Sequence, residues 1–275
     1  KNIERSLKSS NKNNFLNIFK NLNSSLNIDI KTGKLDYDHD LRNISGKVFI
    51  IKNKIDKMNI TAKFTNGENF LYTKKDHNGK KVTTIYSDIA KPFVKKFKFI
   101  KGFEGGKLDY TSSEINKELS NSELRIYDFK LHDMPALTKL LSLASLQGIA
   151  DLATGEGIRF NEFEMYFENS KDLIIISEIY ALGPAISILM EGYVEKNNLV
   201  SLRGTLVPAT TINNTISKIP LLGEILVGDK MGEGVFGVSF KIKGPPNNLE
   251  TRVNPIKTLT PRFITRTLDK LKKVN

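Results

Sequence analysis

The sequence predicts a mainly β protein built on a long antiparallel sheet with three or four helices. Apolar and polar residues alternate through most of the chain, and turn dipeptides such as Asn66-Gly67 and Asn78-Gly79 separate the alternating runs. A period of two is typical of strands with one buried face, and short Asn-Gly turns favour hairpins between neighbouring strands. No β-α-β rhythm occurs along the chain. A parallel doubly wound sheet is therefore not expected.

About a dozen segments carry the strand pattern. In chain order they are Leu26–Ile30, Leu41–Lys52, Ile55–Phe64, Phe70–Lys74, Val82–Tyr86, Lys107–Ser113, Glu123–Leu131, Phe163–Phe167, Leu173–Ile179, Ile186–Val194, Val200–Leu206 and Val238–Ile242. Most of these strands have one apolar and one polar face, as expected for an antiparallel sheet that is covered on one side. Leu124 and Ile126 share one face whereas Phe129 lies on the other, which predicts a β-bulge near Tyr127-Asp128.

The segment from Leu131 to Gly157 interrupts the strands with a helix predicted over residues 134–152. Asp133 is a candidate N-cap, Pro135 suits the first helical turn, and glycines follow the end. Six apolar residues recur at helical spacing on one side of the helix: Leu137, Leu140, Leu141, Ala144, Ile149 and Leu152. Leu143, Leu146 and Ala150 widen this apolar stripe, so the helix needs cover on more than one side. Because strands flank this helix in the sequence, we expect it to pack into the sheet as a plug or lid.

Three regions are expected along the chain. Residues 1–25 are polar and asparagine-rich, and form a linker or weak helix. Residues 26–130 form an upstream β segment, and residues 131–275 form a second β region with the central helix and a basic, amphipathic helix over 260–273. The chain begins without a methionine or an apolar signal segment. We therefore expect it to be part of a longer protein, with any membrane anchor upstream.

The composition narrows the classes of function. With 275 residues, 39% hydrophobic and 26% charged, the chain suits a folded domain or two with a sizeable core. The absence of cysteine excludes disulfides and thiolate metal sites. A net charge of +12 and a pI of about 9.5 are typical of proteins that bind nucleic acid or anionic membranes. The lysines are nevertheless spread over many segments, so nucleic-acid binding is not expected.

No motif predicts an enzyme, a metal site or a cofactor. Residues 232–237 match the glycine pattern of dinucleotide-binding loops, but Val238–Lys243 continue as a strand where that fingerprint requires a helix. The three histidines are far apart and show no metal-ligand spacing. Glu162, Glu164 and Glu168 share the polar side of one strand, where a solvent-facing position is expected.

The apolar side of the predicted sheet needs cover. Such a sheet folds over on itself, meets another sheet, or holds an apolar ligand. Residues 211–227 add an apolar segment that breaks at Pro220 and Gly223, where neighbours cannot easily cover bulky side chains. This segment supplies candidates for membrane contact, with a buried corner as an equal alternative: Leu221, Leu222, Ile225 and Leu226.

Several motifs occur in an order that resembles the C-terminal region of AsmA-like proteins of the YhdP type. They are Leu124-Arg125-Ile126-Tyr127-Asp128-Phe129, Leu141-Ser142-Leu143-Ala144-Ser145-Leu146, Gly204-Thr205-Leu206-Val207-Pro208-Ala209, Ile219-Pro220-Leu221-Leu222-Gly223, Gly232-Glu233-Gly234 and Val253-Asn254-Pro255. The resemblance covers residues 122–263 and is looser upstream. The excess of lysine and asparagine and the basic tail beyond Arg262 depart from the family pattern.

The resemblance implies a bridge-like lipid-transfer protein of diderm bacteria, anchored in the inner membrane by an upstream segment and extending across the periplasm. The family fold is a long, curved antiparallel sheet, folded like a taco, whose apolar groove carries phospholipid acyl chains. No catalytic residue and no cofactor is implied, and the expected partners are phospholipids, a membrane surface and the upstream polypeptide. Candidate groove residues are Ile126, Phe163, Met165, Phe167, Ile186, Ile188, Val238, Phe240 and Ile242. The alternative is a structural or assembly protein of the cell envelope whose sheets close on themselves.

Overall fold

The computed structural model describes residues 23–52, 54–94, 102–132, 135–143, 155–196, 198–208, 237–246 and 248–256. These residues form one antiparallel sheet whose thirteen strands follow one another in sequence order, together with two short helices. The strands are β1 (Ser24–Lys34), β2 (Asp40–Ile51), β3 (Lys54–Phe64), β4 (Asn69–His77), β5 (Lys80–Ser87), β6 (Gly102–Glu114), β7 (Ser120–His132), β8 (Ile158–Asn169), β9 (Leu173–Leu182), β10 (Ile186–Glu195), β11 (Leu199–Pro208), β12 (Gly237–Gly244) and β13 (Glu250–Ile256). The helices are α1 (Lys91–Val94) and α2 (Pro135–Leu143). The predicted fold class is confirmed.

Two compact units divide the chain. The first comprises Lys1–Asp88 with Thr111–Glu114, and the second comprises Ile89–Tyr110 with Ile115–Asn275. The first unit therefore contains β1 to β5, and the second contains α1, α2 and β7 to β13.

Hairpins build the first unit. Asn78 and Gly79 connect β4 to β5 with positive φ angles of 52° and 76°, as a two-residue hairpin turn requires. One face of the sheet carries Val48 and Met58 as a directly opposed pair that is buried to 6% and 7% exposure. Leu26 lies opposite Val48 on the terminal strand β1 and is 50% exposed. Burial in the first unit therefore falls towards β1.

The second unit is held by the successive pairing of β7 to β13 and by α2. Helix α2 begins at Pro135, three residues after β7, and contacts β13, six strands away. Six strand spacings amount to about 29 Å in a flat sheet, whereas nine helical residues rise only about 13 Å. The contact therefore requires the sheet to curve towards α2. Leu140 and Leu141 of this helix are 2% and 0% exposed.

Of the helix predicted over 134–152, the structure describes α2 at Pro135–Leu143. The rest of the predicted helix lies outside the described residues. So do residues 1–22 of the predicted linker, the terminal helix over 260–273, and the predicted membrane-contact residues Leu221, Leu222, Ile225 and Leu226. Strand β13 was not among the predicted strands, because Pro255 lies within it and proline is confined to edge strands or bulges.

Candidate functional site: the apolar face of the second unit

Cross-strand pairing from β7 to β13 aligns side chains into three rows on one side of the sheet. The first row is Ile126, Phe163, Ala181, Ile188, Leu206 and Val238. The second row is Leu124, Met165, Ile179, Met190, Gly204, Phe240 and Val253. The third row is Ser122, Phe167, Ile176, Gly192, Leu202, Ile242 and Thr251. We call these three rows the apolar face.

All nine candidate groove residues belong to this side of the sheet. Eight of them lie in the three rows, and Ile186 lies on the same side of β10, one position beyond the first row. The prediction missed the residues that complete each row between the candidates, namely Leu124, Ile176, Ile179, Ala181, Met190, Leu202, Leu206 and Val253. These residues could have been predicted by pairing successive hairpins, because the register of each hairpin identifies the residue opposite each candidate on the next strand.

A bulge in β9 explains why part of this face could not be read from alternation. The register of β9 shifts against both β8 and β10, between Tyr166 and Phe167 on one side and between Met190 and Gly192 on the other. An extra residue in a strand lets two side chains three positions apart face the same way. Ile176 and Ile179 therefore both lie on the apolar face, where they are 4% and 6% exposed.

Burial of the apolar face decreases along β10, β11 and β12, whereas its three side chains on β8 are all half-buried and its three on β9 are all buried. In the first row, Leu206 and Val238 are fully buried, and Ala181 and Ile188 are nearly so. In the second and third rows the following side chains are only half-buried: Leu124, Met165, Met190, Val253, Phe167, Leu202 and Ile242. Phe240 remains buried at 4% exposure. The first row is nearest the end of the strands from which β7 leads into α2, so on β10, β11 and β12 the face is buried at that end and half-buried at the other.

A polar cluster around Arg125 occupies the opposite side of β7 and β8. Its guanidinium Nη2 lies 2.5 Å from Oε1 of Glu123 and donates a hydrogen bond of 3.4 Å to the Tyr166 hydroxyl. Its Nε lies 3.4 Å from Oε1 of Glu164, the residue directly opposite on β8. The hydrogen bond to Tyr166 outweighs burial and, together with Glu123, raises the pKa of Arg125. The cation is therefore fixed where β7 and β8 pair.

Burial shifts two further groups next to this cluster. It raises the pKa of Asp109, although the positive charge of Arg125 opposes the shift. Burial likewise raises the pKa of the Tyr127 hydroxyl, against the hydrogen bond with Arg125. Both directions are expected of groups that are partly shielded from water.

Glu164 was expected to face solvent, and this expectation is wrong, since its side chain is only 2% exposed. It lies on the polar side of β8 as alternation predicts, between Arg125 on β7 and Tyr180 on β9. Tyr180 is fully buried, and Leu189 beside it on β10 is 8% exposed. The second unit is therefore covered on both sides near its centre, and a buried glutamate is retained there because a cation faces it.

Features of other classes of site are few in the described part of the chain. No group of three or more His, Cys, Asp or Glu side chains within the described ranges is arranged to hold a metal ion. Among the described residues, neither helix has the length and apolar character that a membrane span needs. No protein-family model, curated protein or solved structure matches the chain. The apolar face is thus the feature from which a function can be inferred.

Proposed function

We propose that the chain binds phospholipid acyl chains on its apolar face and conducts them between the inner and outer membranes of a diderm bacterium. The observation that carries this proposal is the continuity of the apolar rows across seven paired strands, with half-buried side chains in the second and third rows. A continuous apolar face that is partly accessible to solvent is typical of binding surfaces. The sequence resemblance to AsmA-like proteins of the YhdP type supports the same function.

The chemistry of the second and third rows suits hydrocarbon. Met165 and Met190 are flexible and polarizable, so they can adapt to chains of different shape. Each methylene group that leaves water contributes about 0.8 kcal/mol. A lipid tail laid across these rows would therefore be held without any polar contact, while its head group stays in water. Such binding needs no catalytic residue and no cofactor, and we propose a non-enzymatic role.

The proposed location follows from the resemblance. Resemblance to AsmA-like proteins of the YhdP type implies that the chain lies in the periplasm and is attached to the inner membrane through polypeptide upstream of it. Phospholipids and a membrane surface are then the partners we propose, and no role in nucleic-acid binding is proposed.

The alternative function is that of a structural or assembly protein of the envelope. Burial of the first row favours it, because Leu206 and Val238 leave no exposed surface for a ligand. In this case the second and third rows would contact protein rather than lipid. The two functions therefore differ in what covers Met165, Phe167, Met190 and their neighbours.

Lipid content of the purified 275-residue chain distinguishes the two functions. We expect phospholipid to co-purify with the wild-type chain from a diderm host and to be detected by native mass spectrometry. Phe240→Glu introduces a charge into the second row, and Phe167→Glu introduces one at a half-buried position that the fold tolerates more easily. Both variants should lose the bound lipid, because a desolvated carboxylate disfavours the contact with hydrocarbon.

Ile175→Glu is the matched control. Ile175 is 46% exposed and lies opposite Glu168 and Tyr193 rather than on the apolar face. This variant should retain lipid at the wild-type level. Equal lipid content in the wild type, Phe167→Glu and Ile175→Glu would defeat the proposal. A wild-type chain that takes up no lipid from phospholipid vesicles would favour the structural alternative.

A further inference from the structure

The turn between β2 and β3 in the first unit exposes three large apolar side chains. Phe49, Ile51 and Ile55 are 39%, 43% and 46% exposed. Ile51 pairs with Lys54 at the end of the hairpin, and Lys52 follows Ile51 into the turn. Phe49 and Ile51 lie on one side of the hairpin, where they face Lys57 and Lys54, whereas the register shift places Ile55 opposite Ile50 on the other side. Exposed apolar residues that occur singly need no explanation, but three within seven residues give this hairpin end exposed apolar side chains on both sides, and we call the three the patch.

Lysines lie around this patch, and several of them form no ion pair with a carboxylate of the described residues. The neighbouring β4–β5 hairpin lies at the same end of the sheet, because β3 and β4 are antiparallel with Met58 opposite Lys74. Nζ of Lys81 lies 2.7 Å from Oδ1 of Asp56 and 3.3 Å from Oδ2 of Asp76. Lys81 therefore forms ion pairs with an aspartate from each of the two hairpin ends. Five exposed lysines at these ends have no carboxylate partner in the described part of the chain: Lys52, Lys54, Lys57, Lys75 and Lys80.

The side chains can present charge and apolar surface together. The Lys47 ammonium lies 5.7 Å from the centroid of the Phe49 ring, which shows how a lysine stem follows apolar surface while its head group stays in water. At a membrane, the same arrangement lets lysines reach lipid phosphates while isoleucines enter the boundary between head groups and acyl chains.

We propose that the β2–β3 turn, with the adjoining β4–β5 turn, docks on the surface of an anionic phospholipid bilayer. Ile51 and Ile55 enter the bilayer boundary, and the unpaired lysines neutralise anionic head groups. Residues 47–57 and 74–81 contain no arginine, and the exposed side chains at the tip are mainly aliphatic. Nucleic-acid surfaces instead use arginine and aromatic stacking. This docking surface belongs to the first unit, and it does not depend on lipid binding by the apolar face.

Vesicle flotation of the 275-residue chain tests this surface. We expect the wild-type chain to float with vesicles of phosphatidylglycerol and phosphatidylcholine and to remain behind with pure phosphatidylcholine. Lys52→Glu with Lys54→Glu should reduce the partition coefficient at least about twentyfold, because each basic residue near an anionic surface contributes about fivefold. Ile51→Ser with Ile55→Ser should reduce it about tenfold through the lost apolar contact.

Two matched controls separate this surface from general charge and hydrophobicity. Lys241→Glu with Lys243→Glu makes the same charge change at exposed positions of β12, and Ile175→Ser removes an isoleucine of similar exposure. Each should change binding by less than about threefold. Equal losses in the turn variants and the controls would overturn the proposal. So would equal binding to neutral vesicles, or tighter binding to a single-stranded oligonucleotide than to anionic vesicles.

Discussion

Replacing Glu164 by glutamine removes the charge that faces Arg125 from the neighbouring strand. Breaking a buried ion pair by removal of one partner costs about 3–5 kcal/mol, because the remaining charge is left uncompensated. Arg125 keeps 40% of its side chain exposed, and Glu123 remains 2.5 Å from its Nη2 atom. Nε of Arg125 donates no hydrogen bond within the described part of the structure, so the substitution removes the charge of Glu164 without breaking a hydrogen bond from Nε. We therefore expect the free energy of unfolding to fall by about 1–2 kcal/mol.

Urea unfolding followed by circular dichroism measures this loss, and Glu191→Gln provides the control. Glu191 also pairs with an arginine on the adjacent strand, since Nη2 of Arg203 lies 2.7 Å from its Oε1 atom. The Arg203 side chain is 72% exposed, so this pair is solvated and should contribute less than about 0.5 kcal/mol. High salt should remove the small effect of Glu191→Gln and leave that of Glu164→Gln, because screening acts mainly on exposed charges.

Equal losses for the two variants would refute the distinction between a shielded and a solvated pair. A gain in stability for Glu164→Gln would go further and show that desolvation of this glutamate outweighs its attraction to Arg125. The slope of unfolding free energy with urea must stay the same in all three proteins, since a changed slope reports a change in the surface exposed on unfolding.

Two other changes probe packing and protonation. Leu141→Ala should destabilise the protein by about 2–4 kcal/mol in the same urea assay, because this α2 side chain is fully buried. Leu143→Ala is the control, since Leu143 is 48% exposed and its loss should cost less than about 0.5 kcal/mol. Similar losses for the two variants would show that α2 is not docked through Leu141. Burial raises the pKa of Asp109 above its unfolded value, so its contribution to folding becomes unfavourable as pH rises through that range. Asp109→Asn should therefore be more stable than the wild type near neutral pH, with the difference shrinking below the ordinary pKa of aspartate; a less stable variant at neutral pH would contradict this.

The class of fold could be predicted because one local signal repeats along the chain. Alternation marks each strand, and turn dipeptides such as Asn78-Gly79 fix hairpins with positive φ angles. Hairpins pair neighbours in sequence, so the order of strands followed without any long-range information. Pro135 was likewise assigned to the first turn of the predicted helix, because the missing N–H of proline is tolerated there.

The details that failed depend on more than one strand. The β9 bulge that turns Ile176 and Ile179 to the same side is a property of its pairing with β8 and β10. Burial of Glu164 requires both Arg125 opposite it and cover over the polar side of the sheet. The alternation of apolar and polar residues in a single strand predicts neither condition. It indicates the side of the sheet on which a residue lies, but not what covers that side.

The direction in which exposure changes bears on the two proposed functions. In a closed sandwich, the central strands are the most buried along their whole length, and exposure rises towards the edges of the sheet. In the second unit, β10 and β11 lie between neighbours on both sides. Yet Met190 and Leu202 on these strands are half-buried, while Ile188 and Leu206 are buried. Exposure on β10, β11 and β12 therefore rises along the strand, away from the end at which β7 leads into α2, whereas the three side chains of β9 on this face all stay buried. An apolar face that becomes more accessible towards one end of these strands is what the proposed lipid binding requires.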